Sequence, residues 1–365
     1  MRMSATLEIW NHLQRQLFPV LVEELGALTE KDRQFVEVMA LVPLGSLLES
    51  YRWCGVGCPP HERTWLVHAF IAKSVYQFTT TRALLEALVA RPTLRRLCGW
   101  QSASEVPHES TFSRAFAAFA NDELPQKIHA AMVSRQQGQR LVGHVSRDST
   151  AIEGWEKPVP KPPAAPKAVA KRGRPAKGQE RPPPVPKRLE LQPERTLKEN
   201  LADLPRGCSI GCKRNSKGHQ DCWIGYKLHL DTMDGDIPVS AILTSASVND
   251  SQVAIPLAQM TAQRVSSLYD LMDSAYDAPQ IHDFSRRLGH VPIIDPNPRR
   301  GEKIPLAPAQ AQRFQQRSAS ERVNSLLKER YGGRFVRVRG AKKVMAHLMF
   351  GLLALTAMQF YQLIL

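Results

Sequence analysis

Cysteine is scarce: six residues in a chain of 365 do not make a disulfide framework, and a reducing compartment, the cytoplasm, is expected. Acidic residues are also in deficit. Thirty-four Asp and Glu face 49 Lys and Arg, leaving a net charge of +15 and a pI near 9.8. That imbalance speaks against a partner that is itself basic and favours a polyanion, nucleic acid first and an acidic membrane surface second. A secretory signal is missing from residues 1–28, where Glu, Arg and Gln interrupt the apolar positions. Only one apolar run, 344–365, is long enough to cross a bilayer. His347, Gln359 and Gln362 break it and Gly351 weakens it, so it reads as a helix buried in a core and no membrane partner is expected. What remains is ordinary for a globular protein: 43% of the residues are hydrophobic, with length for two or three domains.

Residues 1–140 read as all-helical. Trp10, Leu13, Leu17, Val20 and Leu21 recur at helical spacing, as do Leu66 with Phe70 and Leu84 with Leu88, and prolines at 59, 60 and 92 punctuate the segments. The turn at Val106-Pro107-His108 leads into Ser110, Thr111 and Arg114. This is either a DNA recognition helix or a capped structural one. From residue 141 the texture becomes α/β. Strands are expected at 141–147, 223–232, 237–244, 268–272 and 291–294. The second and third should form a hairpin about Asp234-Gly235, and helices are expected at 251–263, 279–288 and 314–331. Such an order builds a mixed sheet.

Between the first strand and the hairpin lies a different composition. Residues 157–217 hold sixteen Lys or Arg against five Asp or Glu, which is eleven of the chain's net fifteen positive charges. The stretch 157–187 is mostly Pro, Lys, Ala and Gly, too poor in aromatics, Ile and Leu to make a core. The expectation is a basic, mostly disordered insert over 157–217 that binds phosphates. Within it, Arg172-Gly173-Arg174-Pro175 is similar to the arginine-bearing peptides that enter narrow A·T minor grooves.

The chemistry is expected from three carboxylates. Asp148 and Asp273 each close a predicted strand, the end of an open α/β sheet where ligands gather. Glu321 lies on a late helix whose residues Arg317, Glu321, Asn324 and Lys328 share a sector of roughly 60° at about 100° per residue. On spacing alone that stripe could be a solvated face with an Arg317–Glu321 pair. Three hard oxygen donors brought together repel one another unless cations sit between them, and such donors suit Mg²⁺ or Mn²⁺.

In these motifs the chain resembles the DDE transposases of bacterial insertion sequences. Ser146-Arg147-Asp148-Ser149-Thr150 looks like their first-aspartate motif and Trp223-Ile224-Gly225-Tyr226-Lys227-Leu228-His229 like their second-strand motif. Asp273-Ser274-Ala275-Tyr276-Asp277 is similar to the second-aspartate motif. The late helix resembles the signature Tyr, two residues, Arg, three residues, Glu, six residues, Lys, with Phe314 in place of the Tyr. Asp295-Pro296-Asn297-Pro298-Arg299-Arg300 also looks family-like.

The resemblance implies an RNase H-like catalytic core after a helical DNA-binding domain (1–140). The first strand would occupy 141–156, and the rest of the core, with its terminal helix, 218–365. It implies two Mg²⁺ or Mn²⁺ ions held by Asp148, Asp273 and Glu321, cleavage of double-stranded DNA at transposon ends, and strand transfer into target DNA by a homodimer or larger assembly on the nucleoid of a bacterial cytoplasm. DNA contacts would come from Arg317, Lys328, Asn324, Arg299, Arg300, Arg172 and Arg174. Two rivals stay open, a nuclease that cuts without joining and a domesticated DNA-binding protein. Cys208, Cys212, His219 and Cys222, close together in the chain, could also ligate a structural Zn²⁺.

Overall fold

The computed structural model describes the chain except for residues 1–4, 139, 161–185, 215–217, 299–301, 303 and 364–365. The first part is helical as expected. Helices α1 (Ala5–His12) and α2 (Phe18–Leu25) precede α3 (Glu30–Leu41), which opens on a capping box between Thr29 and Asp32. Then follow α4 (Arg63–Val75), α5 (Thr81–Ala90), α6 (Pro92–Cys98), α7 (Glu109–Asn121) and α8 (Leu124–Gln137). In α7, the candidate recognition helix, Phe112, Ala115 and Phe119 enter the core while Ser110, Ser113 and Arg114 stay exposed.

The sheet begins with β1 (Leu141–Glu153), about twice as long as the strand expected. Helices α9 (Arg188–Leu191) and α10 (Leu197–Asp203) come next, then β2 (Ser209–Arg214), β3 (Gln220–Met233), β4 (Ile237–Ser245), α11 (Ser251–Ala262), β5 (Ser266–Met272), α12 (Pro279–Arg287) and β6 (Val291–Ile294). Strand order is β2-β3-β1-β5-β6, with β4 also paired to β3. β1 is antiparallel to β3 and parallel to β5, which is parallel to β6. This is the mixed sheet of an RNase H-like core. β3 gives its first half to β2 and its second to β4. Gly225 marks the change at φ +149°, where a Cβ would sit 2.2 Å from the Ile152 carbonyl.

Two expectations need correction. Residues 188–214, assigned to the basic disordered insert, instead form α9, α10 and β2, and Gln192, Asn200 and Leu204 are buried. Asn200 Nδ2 donates to the Gln192 carbonyl at 3.0 Å and to Gln259 Oε1 at 3.0 Å. These bonds and the small apolar face of Leu201 and Leu204 on α11 outweigh the basic composition. The second correction concerns the late helix. It is broken into α13 (Pro308–Phe314), a 3₁₀ turn over Gln315–Arg317, and α14 (Ser318–Arg330).

Helix α15 (Ala341–Gln362) joins the two halves. It packs against α3, α4, α7, α8, α14 and β4 and is apolar almost all round, as a helix must be when it is enclosed on every side. It is long and apolar enough to cross a membrane, but 83% of its apolar window is buried inside the fold. Its residues belong to one continuous core with the N-terminal helices and the sheet.

Candidate active site

The parallel β1–β5 ladder ends at the pair Arg147↔Met272. The next residues on the two strands are Asp148 and Asp273, so two aspartates 125 positions apart stand side by side, on neighbouring strands about 4.8 Å apart. Beneath them the sheet is pinned by a buried fork. Arg147 Nε and Nη2 donate to the Asp231 carboxylate at 2.8 and 2.7 Å, and Thr261 Oγ1 adds a bond of 2.6 Å. Arg147 and Asp231 are direct partners across β1 and β3.

Burial is the main influence on both aspartates. It pushes Asp148 up to about 6, with the charge of Asp273 adding to the rise and the Ser149 amide, Arg317 and Lys213 opposing it. Asp273 is raised by burial and by Asp250 while the Ala275 amide, Arg317 and Lys213 hold it down. Its Oδ1 accepts from Ala275 N at 2.9 Å, so it also caps the 3₁₀ turn Ser274–Tyr276. The Asp295–Asn297 loop braces that turn, since Asn297 Nδ2 donates to the Ser274 carbonyl at 3.2 Å. Tyr276 lies beneath, fully buried, and its hydroxyl finds no partner.

Helix α14 runs along β1. Asn324 Nδ2 donates to Asp148 Oδ2 at 3.1 Å, while Asn324 Oδ1 is buried without a partner. One turn earlier Glu321 is exposed and paired with Arg317. The solvated pair allowed by the spacing is therefore present, and Glu321 does not join the aspartates. Among the described residues no three His, Cys, Asp or Glu are grouped to hold a metal ion. Arg317 is the link between the two groups, close enough to both aspartates to lower them. Lys328 is half-buried beside Glu153, and its burial lowers its pKa.

Asp250 escaped the sequence reading. It accepts from Ser149 Oγ at 2.9 Å and Lys227 Nζ at 3.0 Å. It sits just ahead of α11 like an ordinary helix-start residue, so nothing in the sequence sets it apart. The zinc grouping is corrected: Cys212 and Cys222 are cross-strand partners joined as a disulfide. Cys208 is buried and faces the Glu156 carbonyl. Arg172, Arg174, Arg299 and Arg300 lie outside the described residues.

A family model described as Transposase DDE domain matches residues 206–357, and one described as Transposase domain (DUF772) matches residues 23–118. The chain belongs to the DDE-type transposases of insertion sequences. No curated protein and no solved structure gives a significant match. As a DDE transposase it is an enzyme acting on DNA, with chemistry of the kind that uses divalent metal. The DDE-domain match includes Asp273 and Glu321 but starts after Asp148, so the case for Asp148 rests on its register beside Asp273.

Proposed function

We propose that this transposase hydrolyses a phosphodiester at each transposon end and then joins the freed 3′-hydroxyl to target DNA. The observation that carries the reading is the β1–β5 register, which sets Asp148 beside Asp273 at the end of the ladder. The donors suit a hard cation. Two part-buried carboxylates are both raised, chiefly by burial, with Asp273 adding to the rise at Asp148 and Asp250 to that at Asp273, and the carbonyl oxygen of Asn324 is buried beside Asp148 without a partner. Asp148 and Asp273 would hold the metal, with Glu321 completing the set once it leaves Arg317. Two Mg²⁺ or Mn²⁺ ions bound there would supply activation of the attacking oxygen and stabilisation of the leaving one.

The chain's own cations do the rest. Arg317, released from Glu321 by a DNA phosphate, and Lys328 donate charge-assisted hydrogen bonds to the strand near the scissile bond. Arg172, Arg174, Arg299 and Arg300 add phosphate contacts. Neutralising them should flatten the dependence of log affinity on log salt. The active assembly is a dimer or larger on paired ends, working at the nucleoid in the cytoplasm.

A strand-transfer assay separates this reading from a nuclease. Supplied with pre-cleaved element ends, Mg²⁺ and plasmid, the protein should give joined products. Cleavage of uncut ends with no joining under any divalent metal would favour the nuclease.

A further inference from the structure

Past Asp148, β1 runs on to Glu153, and the chain after α14 returns alongside it. Val336 is 4% exposed and anchors this returning segment. Arg339 Nε donates to the Trp155 carbonyl at 3.0 Å, and the Gly340 amide donates to the Glu156 carboxylate at 3.1 Å. With Val336 inward, Phe335 and Arg337 point outward. A groove of about 560 Å³ lies between, lined by Glu153, Trp155, Lys328, Arg334, Phe335 and Arg337 among others. Two large rings are left half in solvent there, Trp155 at 51% and Phe335 at 48%, and the Arg337 guanidinium lies 4.1 Å over the Trp155 ring. Lys328, one turn beyond the asparagine bonded to Asp148, connects the groove to the aspartates.

We infer that this groove receives an unpaired DNA strand next to the scissile phosphate, with bases stacking on Trp155 and Phe335 and phosphates meeting Lys328, Arg334 and Arg337. This rests on the reading that the aspartates cut DNA. Three cations against the one carboxylate of Glu153 suit a polyanion. Exposed rings interleaved with cations suit the faces of unpaired bases, because a duplex hides those faces in its own stack. Along β1 the five residues from Asp148 to its end at Glu153 span roughly 17 Å, and Trp155 follows two residues on, which is room for a few nucleotides. Unpairing the end costs a few base-stacking interactions, and the rings return part of that.

The test uses the full chain in EDTA, with fluorescence anisotropy on two probes: a blunt duplex, and the same duplex carrying a short unpaired oligo-dT tail. Wild type should bind the tailed probe about tenfold more tightly. Trp155→Ala and Phe335→Ala should each lose most of that preference, and Trp155→Phe should keep it. Should Trp155→Ala fail to fold, Phe335→Ala carries the comparison from the other wall. Equal affinity of wild type for the two probes, or alanine variants that retain the preference, would overturn the proposal. No metal is present, so Asp148→Asn should retain the tail preference. Metal-dependent cleavage surviving in that variant would sink the catalytic reading and leave the groove standing.

Discussion

Arg317 is the residue on which the electrostatics of the site turn. It lowers both aspartates and at the same time holds Glu321 away from them. Replacing it with alanine should therefore have two opposed effects. The DNA-free protein should bind divalent metal more tightly, because a competing cation has gone and Glu321 is free; titration calorimetry with Mn²⁺ would register the gain. Binding of element-end DNA should lose about one unit of salt slope with the lost phosphate contact. Weaker Mn²⁺ binding in Arg317→Ala would show that the arginine holds Glu321 ready for the metal. The aspartates themselves were legible from the sequence, since each follows an apolar strand. The Arg317–Glu321 pair was legible as the spacing's plainer option. Asp250 was not, because an aspartate at a helix start is the commonest arrangement there is.

At the scale of elements, the strands and helices of the sheet from residue 223 to 294 follow the expected order because apolar runs alternate with turn residues there. The failures came where composition stood in for local signals. Thr196 and Glu199 form a capping box at the start of α10, a pattern readable as Thr-x-x-Glu, yet the surrounding Lys and Pro hid it. β2 was missed because Ser209–Arg214 is half polar and pairs with only the first half of β3. In α15, Gly351 looked like a weak point. It is instead where the Tyr331 carbonyl meets the helix, 2.5 Å from any added Cβ. Alanine there gains about 1 kcal/mol in helix propensity, but overpacking costs about 1–3 kcal/mol. The clash is with backbone, which yields least, so Gly351→Ala should lower the thermal midpoint. An unchanged or raised midpoint would mean that α14 and α15 can move apart freely.

Across the whole molecule, the helical layer and the sheet share one core, and buried histidines sit in it. His129, bonded to Thr356 at 3.0 Å, is pushed down to about 3 by burial and by Arg264. His347 falls to about 3 through burial and Lys73, and His229 to about 4 through burial, with Lys227 adding to the fall and Asp250 opposing it. Each stays neutral in the fold while the unfolded chain takes a proton near 6.5. Their contribution to stability is thus complete above pH 6.5 and is lost as the pH falls toward 4. The loss is at most about 1.4 kcal/mol per pH unit per histidine. Urea midpoints measured from pH 7.5 downward should fall in that window, less steeply in His129→Gln. This shared core also fixes the face on which Asp148 meets α14, and so decides whether the site works as proposed. The most direct measurement is Mg²⁺-dependent cleavage of duplex carrying the element's own end, by Asp148→Asn, Asp273→Asn and Glu321→Gln, with DNA binding followed in parallel. All three should bind DNA and cleave at background. A variant that binds and cleaves like wild type would remove its residue from the site, and if that variant were Asp148→Asn or Asp273→Asn the account would be contradicted at its centre.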